Sequence, residues 1–400
     1  MGVLNIDKII SEKMNYVNQQ LKNKYHGLNR DKDKKIKDIL LKRAVRSIKL
    51  SRKVTEAVKE LAGGRPLVGV DGSINMVGSS YPHYLALIRA MAKSTCRDHG
   101  DIVLVDVHYP GFPAQPSKAD SKASSKGLPG ASPQSSWDAP PKGVPKDFPE
   151  VSSQPTLDAP SKAVLKAPSA AVPGDSFTDR TYDTLEGGGI SKAAADENRR
   201  SARMAQLEIE AATESLRTMD PFLIMLDGSL VQYRIKCRQA WEEFSTMALN
   251  RGVLVVGVIE EIKTDFLYPV IKHDIGWDTD ILYDRELLFG LLDVGEMLVV
   301  DEGVIQPSKE GLATCFVRSS RDPHPIALDM LKEQEEYLYD TACLVYSLTP
   351  KDGRGIPLWL DIVDREVRIT DRMMESLVDC YIDEDLRYRL LRPKRENRGY

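Results

Sequence analysis

Asp-Gly-Ser occurs twice in this chain, and each copy closes a short apolar run. Leu67-Val68-Gly69-Val70 leads into Asp71-Gly72-Ser73, and Phe222-Leu223-Ile224-Met225-Leu226 leads into Asp227-Gly228-Ser229. Short apolar runs stopped by a glycine turn read as buried strands. Each copy is therefore expected to place one carboxylate at the exposed end of a core strand. If the two strands are neighbours, the carboxylates converge. Two unit charges about 4 Å apart repel by roughly 4 kcal/mol at a protein-like dielectric. A fold tolerates that through a shared proton or a divalent cation between them, and the second option points to a metal-dependent enzyme. The plainer reading is a pair of turns in which Asp caps its own backbone.

Other features narrow the class. A chain of 400 residues, 42% of them hydrophobic, can bury a sizeable core in one large domain or two ordinary ones. The net charge of −4 leaves a nucleic-acid surface to a local patch. Cys96, Cys237, Cys315, Cys343 and Cys380 lie far apart with no Cys-x-x-Cys, which fits a reducing compartment and argues against a disulfide scaffold and a zinc site. No segment approaches a membrane-spanning length of apolar residues, and Met-Gly-Val-Leu-Asn-Ile has the features of neither a signal peptide nor a myristoylation site. A cytoplasmic protein with no membrane partner is expected.

Residues 1–62 are polar and basic in the middle, from Arg30 to Lys53, with Ile36, Ile39, Leu40, Ala44 and Ile48 at helical spacing. They read as an N-terminal helical arm, either solvated or contacting DNA or a partner. Residues 63–400 form the main domain. Within it, from Gly111 to Asp179, Pro, Ala, Ser and Lys dominate. There Asp138-Ala139-Pro140-Pro141-Lys142 recurs as Asp158-Ala159-Pro160-Ser161-Lys162. Such a composition cannot offset its ordering entropy, so 111–179 is expected to be a disordered insertion. Around it, helices are expected at Tyr84–Ser94, Ser191–Met219, Tyr233–Asn250, Arg285–Leu292 and Thr370–Tyr381. Strands are expected at Ile102–Val107, Gly252–Ile259, Met297–Val300, Thr314–Arg318, Cys343–Leu348 and Ile356–Asp364. Strands alternating with helices make an α/β chain with a mixed sheet flanked by helices.

A third carboxylate can come from the helix before Asp227. Met204, Leu207 and Ala211 form an apolar stripe at i, i+3, i+7, and Glu208 borders it one turn after Met204. Glu210 lies on the other flank. The ordinary alternative for Glu208 is an exposed Glu paired with Arg203 or Arg200. His324, in Asp322-Pro323-His324-Pro325, and Lys263, after the strand ending at Ile259, are weaker candidates for substrate contact. A loop histidine and a solvated lysine are the plainer readings. No P-loop, nucleophile elbow or His-Glu-x-x-His motif is present.

These residues together resemble the NurA family of archaeal and bacterial DNA-repair nucleases. The first Asp-Gly-Ser is similar to its first motif. Arg203-Met204 to Leu207-Glu208, followed by Leu226-Asp227-Gly228-Ser229-Leu230, is similar to its second acid and its Asp-Gly-Ser-Leu strand. Asp284-Arg285-Glu286-Leu287-Leu288 to Gly295-Glu296 is similar to its middle segment. Ile356-Pro357-Leu358-Trp359-Leu360-Asp361-Ile362-Val363-Asp364 keeps the Pro, the Leu and the final acid of its late motif, with Ile356 for a Tyr and Val363 for an Ala. The resemblance covers about 60–110 and 180–400. It implies an RNase H-like core and a manganese-dependent site, with Mg²⁺ the alternative ion. Asp71, Glu208, Asp227 and Asp364 would be the catalytic carboxylates and metal ligands, since hard oxygen donors suit such ions. The implied activity is single-strand endonuclease and 5′→3′ exonuclease action on DNA, by a homodimer docked on a hexameric HerA-type translocase beside the Mre–Rad complex. An adaptor or clamp without catalytic activity on a DNA translocase, and a nuclease acting on RNA, are the competing readings.

Overall fold

The computed structural model describes residues 3–25, 30–110, 191–275, 282–304 and 309–392. The segment expected to be a disordered insertion, 111–179, lies outside the described residues, as does the end of the basic tail. In chain order the elements are α1 (Val3–Lys24), α2 (Arg30–Arg43), β1 (Val45–Lys49), α3 (Glu56–Ala62), β2 (Leu67–Gly78), β3 (Tyr84–Ser94) and β4 (Ile102–His108). Then come α4 (Lys192–Thr218), β5 (Leu223–Asp227), α5 (Leu230–Lys236), α6 (Arg238–Asn250), β6 (Leu254–Ile259), α7 (Leu267–Ile275), α8 (Asp284–Leu288) and β7 (Glu296–Val300). The last are β8 (Leu312–Arg318), β9 (Ile326–Leu331), α9 (Leu338–Leu348), α10 (Leu358–Val367) and α11 (Asp371–Tyr381). Among the described residues nine strands hydrogen-bond in the order β1-β7-β8-β9-β6-β5-β2-β3-β4, a mostly antiparallel sheet in an α/β chain. Among the described residues no helix is long and apolar enough to cross a membrane.

The chain divides into two compact units. The first comprises 1–64, 225–231 and 252–361. Its strands β1, β7, β8, β9 and β6 pair antiparallel in that order. Ile36, Leu40 and Ala44 of α2 are buried with Leu267 and Ile271 of α7 and with Leu298, Val300 and Phe316 of the strands. Full burial of one such side chain contributes about 1.5–3 kcal/mol. Within the segment expected to be a helical arm, residues 45–49 form β1, paired with β7 from Val45↔Val300 to Lys49↔Glu296. Lys37 of α2 and Ser47 of β1 both reach the buried Glu296 carboxylate, at 2.6 and 2.5 Å.

The second unit comprises 65–224, 232–251 and 362–400. The antiparallel meander β2–β3–β4 is its frame. Helix α4 starts at Ser191, whose hydroxyl accepts the Ala194 N–H, and ends before Asp220-Pro221, with Asp220 at φ 44°. It lays Ala205, Leu207, Ile209, Ala211, Ala212 and Leu216 into the core. Small partners on β3, Ala86, Ala90 and Ala92, let a helix approach the sheet closely. Leu87, Ile369, Met374, Val378 and Leu391 form a second cluster of this unit.

Several elements differ from the sequence expectation. Tyr84–Ser94 is a strand, not a helix. Its Leu, Ala and Met favour helix, but it is the middle strand of the meander and is buried almost throughout, so pairing overrides propensity. Cys343–Leu348 is helical rather than a strand, and so is the stretch expected at Ile356–Asp364 from Leu358 onward. A short continuous apolar run does not distinguish a buried helix from a buried strand. In the second case the decisive signals are the buried Leu360, Val363 and Val367 at i, i+3, i+7 and Pro357, whose carbonyl receives the Leu360 and Asp361 N–H groups. The helix expected at Tyr233–Asn250 is two helices that meet at Cys237. Strand β9 had no counterpart in the expectation.

Candidate active site

In the second unit, β2 runs straight through the first Asp-Gly-Ser. Asp71 is therefore mid-strand, opposite Met91 of β3, rather than at the strand-end turn its sequence suggests. A regular antiparallel register explains this, because every residue from Val68 to Gly78 keeps a partner on β3. Asp71 is 8% exposed, and its Oδ1 accepts the Gly72 N–H at 2.7 Å. Side chains alternate along a strand. Asp71, Ser73 and Asn75 thus share one face with Met91 and Arg89, while Gly72 faces the other way with Ala90.

Helix α4 covers the Gly72 face. A Cβ at position 72 would stand 2.2 Å from Glu208 Oε1 and 2.9 Å from Met204 Cγ. The carboxyl end of Glu208 therefore fills the space that any side chain at 72 would occupy, against the backbone that carries Asp71. Glu208 is only 3% exposed. It borders the apolar stripe, as its spacing after Met204 suggests. Of the two arginines in the alternative pairing, Arg203 binds Asp106 at 2.5 Å and Glu210 at 3.5 Å, and Arg200 lies 3.7 Å from Asp196. Burial pushes the Glu210 carboxyl up, with Arg203 opposing it, and its Oε2 is buried without a hydrogen-bond partner. The nearby Cys237 thiol is pushed up to about 12 by burial and then by the charges of Glu208 and Glu210. The Glu208 and Glu210 carboxyls thus lie within one turn of each other near the middle of α4.

The Asp71 face is covered by the segment after Val363. Ser73 Oγ accepts the Ile369 N–H at 3.3 Å, and Asn75 donates to Ile369 O and to Asp371. Glu366 of α10 binds Lys93 at 2.9 Å, and Lys93 also binds Asp101 at 2.8 Å. Burial lowers the pKa of Arg89, against the charges of Glu366 and Asp101. Asp364, on α10, begins this segment and pairs with Arg368 at 3.3 Å.

In the first unit, Asp227 ends β5, so the second Asp-Gly-Ser is the expected strand-end turn. Gly228 takes φ 98° and donates its N–H to Val258 O at 2.8 Å. Its carbonyl oxygen lies 2.5 Å from where a Cβ on Gly257 would be, so the turn needs glycine there as well. Ser229 Oγ donates to Asp329 Oδ2 at 2.7 Å. Asp329 is fully buried on β9 and also binds Lys309 at 2.6 Å and Thr314 at 2.8 Å. Sequence reasoning passed over this pair, although an Asp inside the apolar run Ile326-Ala327-Leu328-Asp329-Met330-Leu331 was a visible signal. Lys263 is 84% exposed, with Glu261 at 3.7 Å. His324 pairs with Asp322 at 2.9 Å and packs edge-on against Phe289.

Of the four expected carboxylates, Glu208 is thus set against Gly72, while its chain neighbour Asp71 points to the other face of β2. Among the described residues no three His, Cys, Asp or Glu side chains are grouped as metal ligands. Carboxylate oxygens, the donors that these residues offer, are of the kind that suits a hard divalent cation.

The model of the NurA domain family matches residues 65–369. Among solved structures, the NurA nuclease from Sulfolobus solfataricus is similar at 11% identity, covering 95% of this chain and 96% of that one, with a TM-score of 0.47. Endonuclease V from Bacillus subtilis is similar at 14% identity over 80% of this chain and 84% of that one, TM-score 0.32. Endonuclease V from Ciona intestinalis, solved with an inosine-containing DNA, is similar at 11% over 85% and 98%, TM-score 0.28. Comparison with the curated proteins finds no match. The family match spans well over half of the chain, and the chain belongs to the NurA family of nucleases.

Proposed function

We propose that this protein is a manganese-dependent deoxyribonuclease, with Mg²⁺ as the alternative ion, whose ligands are Asp71, Glu208, Asp227 and Asp364. The observation that carries the reading is the buried Glu208 carboxylate set against Gly72, on the strand whose backbone carries Asp71. A buried carboxylate is costly unless a cation, a proton or hydrogen bonds compensate it. When bound, divalent cations supply an activated water and neutralise charge on the leaving 3′ oxygen. The protein's own part is to hold the oxygen donors rigidly. Asp71 is fixed by β2 pairing and the Gly72 N–H, and Glu208 by the packed stripe of α4. Arg89, on the Asp71 face, offers a desolvated guanidinium to a phosphate oxygen.

Family membership supports the wider reading. The enzyme cuts single-stranded DNA internally and digests DNA 5′→3′. It works as a cytoplasmic homodimer with a hexameric HerA-type translocase, beside the Mre–Rad complex, in resection of double-strand breaks. The test is degradation of end-labelled single-stranded DNA with and without Mn²⁺, by wild type and by Asp71→Ala. The expected loss in the variant is at least about 100-fold, in the range of ligand-shell losses. Equal rates in the two proteins would sink the assignment. An RNA panel run alongside decides the nucleic acid.

A further inference from the structure

We infer that the buried Lys309–Asp329 ion pair positions the Asp227 carboxylate, acting through Ser229. The inference rests on the reading of Asp227 as a metal ligand. Asp329 stands opposite Gly257 in the β6–β9 ladder. Gly257 has no side chain, and the carbonyl of Gly228 occupies the space beside it. The Asp227 turn is thereby held at three points. Gly228 N–H donates to Val258 O at 2.8 Å, Gly228 O rests over Gly257, and Ser229 Oγ donates to Asp329 Oδ2 at 2.7 Å. The same Ser229 oxygen accepts the Val231 N–H at 3.3 Å, which ties the turn to the start of α5.

Asp329 can hold this post because its other oxygen is saturated. Lys309 Nζ, on a residue 4% exposed, lies 2.6 Å from Oδ1, and Thr314 Oγ1 lies 2.8 Å from it. A buried ion pair adds little stability over apolar residues of the same volume, because desolvation offsets the attraction. What it supplies here is a fixed acceptor, with Oδ2 aimed at one hydroxyl. Groups that orient metal ligands through hydrogen bonds typically change metal affinity or activity by about 10–100-fold when removed. Ser229 and Asp329 are positioning residues in this sense, since neither needs to touch substrate.

The test measures Mn²⁺ binding by calorimetry on the full chain without nucleic acid, together with DNA cleavage and thermal unfolding of the metal-free protein. Ser229→Ala is expected to weaken Mn²⁺ binding about tenfold and to lower kcat. Its metal-free unfolding midpoint should stay near that of wild type, and Ser229→Thr should recover most of the affinity. The double variant Lys309→Met with Asp329→Leu should remain folded and show the same weakened binding. Asp227→Ala separates the two levels of the argument. If Asp227→Ala loses activity while Ser229→Ala binds Mn²⁺ as tightly as wild type, the positioning role is overturned and the site reading stands. If Asp227→Ala keeps wild-type activity, both are overturned.

Discussion

Gly72 shows how much a single missing side chain can decide. Its backbone is ordinary extended strand, so another residue would fit there conformationally. What it cannot share is space with Glu208 Oε1, 2.2 Å from a Cβ at that position. The end of a glutamate can swing aside, whereas a strand cannot. Gly72→Ala is therefore expected to stay folded, with a loss of about 1–3 kcal/mol from overpacking, and to lose nearly all nuclease activity because the carboxylate is displaced. Denaturant unfolding and a cleavage assay check the two halves separately. A variant that keeps wild-type activity would show that the placement of Glu208 is irrelevant to catalysis. Gly257 has a similar part in the first unit, against Gly228. The candidate residues of this site stand out in the sequence, because an Asp after an apolar run and a Glu beside a helical stripe are local patterns. The glycine contacts do not, because each joins residues on different elements.

Helix α4 is the element on which the second unit depends. One face fills the core and brings Glu208 to β2, and its first turns are tied to the meander by Asp196. That carboxylate, 3% exposed, is hydrogen-bonded by Tyr84 of β3 and by His108 of β4 at 2.9 Å, with Arg200 close by. Removing it leaves Arg200 and the Tyr84 hydroxyl without their partner. Asp196→Ala is expected to cost about 3 kcal/mol of stability, read in denaturant, while the folded variant binds Mn²⁺ with wild-type affinity. A change in affinity without a change in stability would contradict this division of labour. Sequence periodicity located α4 within a residue or two because its amphipathic pattern is long. It failed at Tyr84–Ser94 because that strand is covered on both faces, and a strand buried in this way shows no alternation.

The molecule as a whole is built from a chain that crosses between its two units several times. Each unit gathers three separated segments, and β5 carries residues of both. The 111–179 segment has a composition that cannot build a core, so deleting Ser117–Pro173 is expected to leave the unfolding midpoint and Mn²⁺ affinity unchanged. Loss of soluble protein on deletion would show that the segment is structural. The sequence by itself determined the α/β class, the long helix that became α4, strands β4 and β6, and the family, and it singled out the candidate carboxylates. All of these rest on patterns within a few turns or one strand, or on motifs in a fixed order. Only the tertiary structure decided that the first Asp-Gly-Ser is mid-strand and the second a turn, that Cys343–Leu348 is helix, that Glu208 fills the gap at Gly72, and that Lys309 and Asp329 are joined beneath Ser229. Each of these depends on which distant segment packs against a residue. Pairing and burial energies then outweigh the weaker local preferences.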